Sequence, residues 1–237
     1  MPCYDIRMRF DAYLFDVQGT LLDFYTPVRA AVAEHLSALG RPDIDPGDLT
    51  RAWRTDYFTR VSTLDQLSGP WQKVQGQYEA GFAAVAASYG LPAPDAASAT
   101  RVAASWQRLV PWPDVRDGLA AIRSGALTAT LSNTDMATVI GLARRLDLRF
   151  DALFTAELFS RFKPDPQVYL GALGFLGIAP QRAALVAAHP YDLDAAAALG
   201  LGTVFVARPD EYGDPALAHS AEPGRYTQAV TGIDQIE

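Results

Sequence analysis

Asp16, Lys163 and Asp192 are the residues of this chain whose types and settings could do covalent chemistry. Asp16 follows an apolar run, Ala12 to Phe15, and opens the turn Val17-Gln18-Gly19-Thr20. A carboxylate so placed can attack carbon or phosphorus, or take a proton. Three more polar clusters sit at expected strand ends or in adjoining loops. They are Ser132 with Asn133, Lys163 in Arg-Phe-Lys-Pro-Asp-Pro, and His189 with Asp192. One polar residue at a strand end is ordinarily a cap or a turn former. Four clusters in one rhythm point to a common crevice at the carboxyl ends of a parallel sheet.

The elements that must position these residues can be read from hydrophobic spacing. Residues 12–16 predict a first strand. Thr26 to Leu39 predicts a helix with Val28, Ala31, Val32, Leu36 and Leu39 on one face, Pro27 in its first turn and Gly40 at its end. After a turn-rich break at 41–47, helices are expected over 48–67, 71–90 and 95–109. Their large aromatics (Trp53, Tyr57, Phe58, Trp71, Tyr78, Phe82, Tyr89 and Trp106) read as helix-packing core, two or three of them also lining a pocket. Val110-Pro111-Trp112-Pro113 reads as a hinge. Strand and helix then alternate: helix 114–124, strand 127–132, helix 136–146, strand 152–155, helix 166–177, strand 184–188, helix 192–199 and strand 203–206. The pattern implies an α/β fold, a doubly wound, Rossmann-like parallel sheet with an inserted helical cap domain. The expected core is 1–24 with 112–237, and the cap 25–111. Residues 207–237 are expected to wrap the surface.

A chain of 237 residues has room for one large domain, or one domain plus an insert. The formal net charge of −7 argues against a nucleic-acid partner, though not against a small anionic substrate in a locally basic pocket. The single cysteine, Cys3, cannot form an internal disulfide, which suggests a reducing cytoplasm. Asp5, Arg7 and Arg9 precede no long apolar run, so no signal peptide is expected, and no stretch has the length of a membrane span.

The ordered set Asp16-x-x-Gly19-Thr20, Ser132-Asn133, Lys163-Pro-Asp-Pro and a later strand ending before Asp192 resembles the haloacid dehalogenase superfamily over nearly the whole chain. The resemblance implies that Asp16 is the nucleophile, that Thr20 and Ser132 hydrogen-bond in the site, and that Lys163 holds the carboxylate charges together. Most members are phosphatases, and two positions depart from that pattern. Gln18 stands where a phosphatase carries its acid, and a carboxamide cannot donate and recover a proton. Ala187 and Ala188 stand where a Gly-Asp pair would help to hold Mg²⁺, a cation that needs oxygen ligands. Neither loss matters to a carboxylate attacking a carbon that bears a halogen.

The branch without these features resembles the L-2-haloacid dehalogenases. Ala187-Ala188-His189-x-x-Asp192, with Arg-Pro-x-Glu-Tyr-Gly at 208–213, is similar to a subgroup that includes defluorinating enzymes. That family usually has an aromatic residue at the place of Gln18. The resemblance implies a hydrolase of small 2-substituted carboxylic acids that uses no metal and no cofactor. Catalytic roles then fall to Asp16, Lys163, Asp192, Thr20, Ser132 and His189. Substrate contacts are expected from Gln18, Asn133, Arg54, Tyr169 and Tyr191, with Arg54 matching the arginine that cradles the departing halide. Asp192 could position or activate water, and His189 could act as a base or a halide donor. Gln18 also leaves open a ring-opening hydrolase of azetidine-2-carboxylate, whose scissile bond is C–N. A residual Mg²⁺-dependent phosphatase and a non-catalytic interaction module are further alternatives. Partners are expected to be a small-molecule acid and, in a homodimer, a second copy, with no nucleic acid and no membrane.

Overall fold

The computed structural model describes residues 8–64 and 71–237. Strand β1 (Ala12–Phe15) is buried along its whole length. It lies parallel to and between β4 (Leu127–Ser132) and β6 (Ala183–Ala187), with Phe15 opposite Thr130 on one side and Val186 on the other. A strand without polar alternation suits a sheet covered on both faces. Its alternate residues enter different cores: Tyr13 and Phe15 pack in one, Ala12 and Leu14 in the other.

In chain order, β1 is followed by β2 (Leu22–Asp23), then by helices α1 (Tyr25–Ala38), α2 (Pro46–Thr63), α3 (Val74–Ser88) and α4 (Ala96–Ala103), and then by β3 (Val110–Pro111). The rest of the chain runs α5 (Val115–Arg123), β4, α6 (Met136–Leu146), β5 (Ala152–Thr155), α7 (Ala156–Phe159), α8 (Pro166–Leu176), β6, α9 (Pro190–Ala198), β7 (Gly202–Val206) and β8 (Gln228–Val230). Among the described residues the main sheet has the order β5-β4-β1-β6-β7-β8, parallel throughout. The chain therefore winds outward from β1 in one direction and then in the other, and Asp16 follows the strand at which the winding reverses.

Local signals explain the helix ends. Asp45 caps α2 by accepting from the amides of Gly47 and Asp48, with Pro46 in the first turn. Asp165 caps α8, which ends at Gly177 in the left-handed region, φ 67°.

Two expectations need correction. The stretch 110–113 is not a free hinge, because β3 pairs antiparallel with β2, Leu22 opposite Pro111 and Asp23 opposite Val110. The segment 207–237 does not only wrap the surface, since β8 adds to the sheet beside β7. The expected end of the second helix at 67 lies outside the described residues, as does Cys3.

The helices between β2 and β3 are packed by the large aromatics. Trp53, Tyr57, Tyr78, Phe82 and Trp106 are fully buried, and the rings of Tyr78 and Trp106 stack at 4.4 Å. The Trp53 indole N–H donates to the Tyr78 carbonyl at 3.0 Å, so the polar edge of a buried ring is satisfied.

Candidate active site

The turn after β1 delivers the Asp16 carboxylate to the sheet's carboxyl edge, fixed by its own N–H donating to Val186 O at 3.0 Å. Gly19 holds φ 89°, and a Cβ there would lie 2.2 Å from Glu211 Oε1. The glycine of the turn is thus required both by the backbone conformation and by the approach of a carboxylate.

Asp16 is almost wholly buried and surrounded by donors. The Thr20 hydroxyl donates to Oδ2 at 2.7 Å, and the Lys163 ammonium donates to Oδ1 at 3.0 Å. His189 Nδ1 lies 3.1 Å from Oδ2. Burial alone would raise the pKa of Asp16, but the charges of Lys163 and His189 and the hydrogen bonds from His189 and Thr20 outweigh it. The carboxyl is held well below the usual carboxylate range. Thr20 in turn accepts from the Ala188 N–H at 2.9 Å, which ties the β1 turn to the end of β6.

Lys163 also pairs with Asp192, so one buried ammonium lies between two carboxylates. Burial pushes the lysine toward neutrality; Asp16 and Asp192 override it and keep the ammonium charged. Asp192 responds the other way: burial and the charge of Asp16 raise its pKa against the pull of Lys163. The Tyr169 hydroxyl donates to Asp192 Oδ1 at 2.5 Å. Asn133 spans the Lys163 backbone, its Nδ2 donating to Lys163 O at 3.0 Å and its Oδ1 accepting from Lys163 N at 2.7 Å. Ser132 is buried at the tip of β4, and its hydroxyl has no partner among the described residues.

From the helical layer, Arg54 of α2 reaches the same region. Its Nη1 donates to Gln18 Oε1 at 2.9 Å, and the Tyr78 hydroxyl donates to the same oxygen at 2.9 Å. Burial pushes the Tyr78 pKa up to about 12, so its hydroxyl keeps its proton. The guanidinium lies over Phe58 at 4.4 Å and Phe24 at 4.6 Å. It meets no carboxylate among the described residues, and Arg54 Nε and Gln18 Nε2 are buried donors without acceptors.

Tyr191, the most exposed of the expected site residues, stacks edge-on to Phe58. With Phe58, Val61, Asn133, Lys163 and Pro164 it lines a cleft of about 320 Å³ that reaches the lysine. A larger groove of about 530 Å³ along α5 shares no residue with this site.

The structure thus brings Asp16, Thr20, Lys163, His189, Asp192 and Tyr169 into one hydrogen-bonded cluster, with Gln18 and Arg54 joined beside it. It adds Glu211, which the sequence reading named only as part of a motif. Glu211 Oε1 lies 2.7 Å from His189 Nε2 in a buried contact. Among the described residues no group of three or more His, Cys, Asp or Glu side chains is arranged to hold a metal ion.

A buried, ionised aspartate directly after the first strand of a doubly wound sheet, with a lysine across from it, is the setting of a hydrolase site at the switch point of the fold. Residues 10–200 match the family model of haloacid dehalogenase-like hydrolases, and the chain belongs to that family. It is similar to (S)-2-haloacid dehalogenase 4A of Burkholderia cepacia, 28% identical over 214 residues that cover 88% of this chain and 89% of that protein. Its fold matches L-2-haloacid dehalogenase PA0810 with a TM-score of 0.82 and 38% identity, over 94% of this chain and 96% of the other. The defluorinating L-2-haloacid dehalogenase Rha0230 matches with a TM-score of 0.87 and 28% identity, over 97% and 96%.

Proposed function

We propose that this protein is a metal-independent hydrolase of small 2-substituted carboxylic acids, a 2-haloacid dehalogenase working through an aspartyl ester. One observation carries the reading. Asp16 is held ionised by two buried cations, Lys163 and His189, while a third, Arg54, has no carboxylate partner among the described residues. The activities named for the relatives point to the same substrate class. We take residues 25–111 as a cap over a core of 1–24 and 112–237.

In this reading Ser132 receives the substrate carboxylate. The Thr20 and Asn133 donors are already committed to Asp16 and to the Lys163 backbone, so these residues hold the reacting groups in place. Asp16 attacks C2, the carbon–halogen bond breaks, and halide departs with the bonding pair toward Arg54. No proton is needed for that step, which agrees with Gln18 in place of an acid. Water then adds to the Asp16 ester carbon while Asp192, its proton affinity raised by burial and by the charge of Asp16, accepts a proton. The ester C–O bond breaks, one proton of the water ends on the product hydroxyl, and the other is released. Haloacid and water yield hydroxy acid, halide and a proton.

The test is halide release from L-2-chloropropionate, bromoacetate and fluoroacetate, with and without EDTA. Release that survives chelation and vanishes in Asp16→Asn is expected. Failure on all three substrates removes the dehalogenase reading, and dependence on added Mg²⁺ removes the metal-free mechanism. The homodimer belongs to the same reading and is checked by sedimentation equilibrium, where a single-chain mass removes it.

A further inference from the structure

The His189 ring lies between two carboxylates. Its Nδ1 is 3.1 Å from Asp16 Oδ2 and its Nε2 is 2.7 Å from Glu211 Oε1, with all three side chains buried. A carboxylate only accepts hydrogen bonds. Both contacts are therefore hydrogen bonds only if both ring nitrogens carry a proton, which makes the ring an imidazolium. Burial opposes that charge, but Glu211 and Asp16 outweigh it and lift the pKa to about 10. Among the described residues the other titratable groups facing the ring are Tyr191 and His219, each with its ring centre 6.0 Å away. Phe58, from α2, packs on it as an apolar face.

The two oxygens of Asp16 are not equivalent. Oδ2 accepts from Thr20 and His189, which occupies both of its lone pairs. Among the described residues Oδ1 accepts from Lys163 alone, which leaves one lone pair free. Oδ1 is therefore the oxygen able to attack carbon, and Oδ2 becomes the carbonyl oxygen of the resulting ester.

We propose that His189 acts as an electrophile rather than a base: held as an imidazolium by Glu211, it donates Nδ1–H to Oδ2 while water adds to the Asp16 ester. The inference rests on the ester mechanism above and assigns the role of one side chain within it. When the water oxygen bonds to Cγ, the carbonyl electron pair moves onto Oδ2, where Nδ1–H and the Thr20 hydroxyl already point. The Cγ–Oδ1 bond then breaks, the pair on Oδ2 re-forms the carbonyl, and His189 ends with both of its protons. Asp192, on the far side of Lys163, remains the proton acceptor for water. Glu211 is a positioning residue that fixes the charge and orientation of the ring.

Rapid quench with bromoacetate followed by mass spectrometry of the Asp16 peptide measures ester formation and ester breakdown separately, from about pH 6 to about pH 10. Adduct formation in each variant reports an intact site. His189→Ala is expected to slow ester breakdown by about 10²–10³-fold, the usual cost of one oxyanion donor, with part of the rate recovered in His189→Gln. Glu211→Gln lowers the pKa of His189 into the assayed range. Ester breakdown in that variant is then expected to fall as pH rises and the donor proton is lost. A general base requires the opposite slope, so breakdown that rises with pH in Glu211→Gln overturns the proposal. Unchanged breakdown in His189→Ala also overturns it. If the wild-type enzyme forms no adduct, the ester mechanism falls and this role with it; if the adduct forms and the slope is wrong, only this role falls. Nitrogen-15 NMR of the resting enzyme near pH 7 reads the ring directly. Two protonated nitrogens are expected, and a neutral imidazole overturns the assignment.

Discussion

Arg54 is a cation buried among rings, with Gln18 Oε1 its one side-chain acceptor among the described residues. Such a setting removes water from the charge without neutralising it, which favours an anion that arises during the reaction. Arg54→Lys keeps the charge but loses the planar fork and the stacking. The expected result is a fall in kcat/KM of about tenfold, or about 1.4 kcal/mol, for bromoacetate, and a larger fall for fluoroacetate, whose leaving group needs more help. Equal losses in steady-state halide release from the two substrates would remove Arg54 from leaving-group recognition. Gln18 has its orientation set by the same contact, because its oxygen must face the guanidinium and its NH₂ must then face away. Asp16, Lys163 and Asp192 were legible in the sequence because each sits in a short motif: Asp16 directly after β1, Lys163 in the loop between α7 and α8, and Asp192 in the first turn of α9. Glu211 was not, because nothing in a linear string shows that a carboxylate beyond β7 folds back onto a histidine 22 positions earlier.

At the scale of elements, apolar runs and helical spacing were enough to locate β1, β4, β5 and α6, whose signals lie within a few residues of each other. The short pieces were not legible. β2 and β3 have two residues each and β8 has three, too few to show a period, and each exists because a neighbouring strand supplies its hydrogen bonds. Tertiary pairing decides such segments, not local preference. The aromatics of α2, α3 and the turn after α4 were readable as core. Trp53 touches the rings of Tyr78, Phe82 and Trp106 and closes a hydrogen bond to α3. Trp53→Ala is expected to destabilise the protein by about 3–5 kcal/mol, through the cavity it leaves and the loss of the indole hydrogen bond to α3. Urea unfolding checks this, and a loss below about 1 kcal/mol would mean that the helical layer collapses freely around the gap. The same substitution moves α2, so a loss of activity should accompany it.

Over the whole molecule, the buried charges set how stability depends on pH. The Asp16 pKa is depressed on folding, so its contribution is present above the ordinary carboxylate range and is lost as pH falls through the depressed value. The His189 pKa rises from 6.5 to about 10, so its contribution is complete below the ordinary histidine value and is lost as pH rises through about 10. The thermal midpoint should therefore decline between about pH 7 and about pH 10, and His189→Gln should flatten that decline. Calorimetry in matched buffers checks it, and an identical slope in both proteins would show that other groups govern the alkaline limb. The relatives named above act on haloacids, and they give the ring-opening alternative no support.

The two-residue ribbon of β2 and β3 places Asp23 directly opposite Val110, so the chain enters and leaves the helical segment one strand spacing apart, outside the main sheet. Everything between these points, including Arg54, Phe58 and Tyr78, can in principle be exchanged as a cassette without breaking a strand of the main sheet. Asp16, Lys163, His189 and Asp192 stay behind. Under the proposed function, grafting the corresponding segment of a relative onto this ribbon should transfer the preference among halides while Asp16 and its partners are unchanged. The ribbon is thus a seam along which one reaction can be re-specified for different leaving groups.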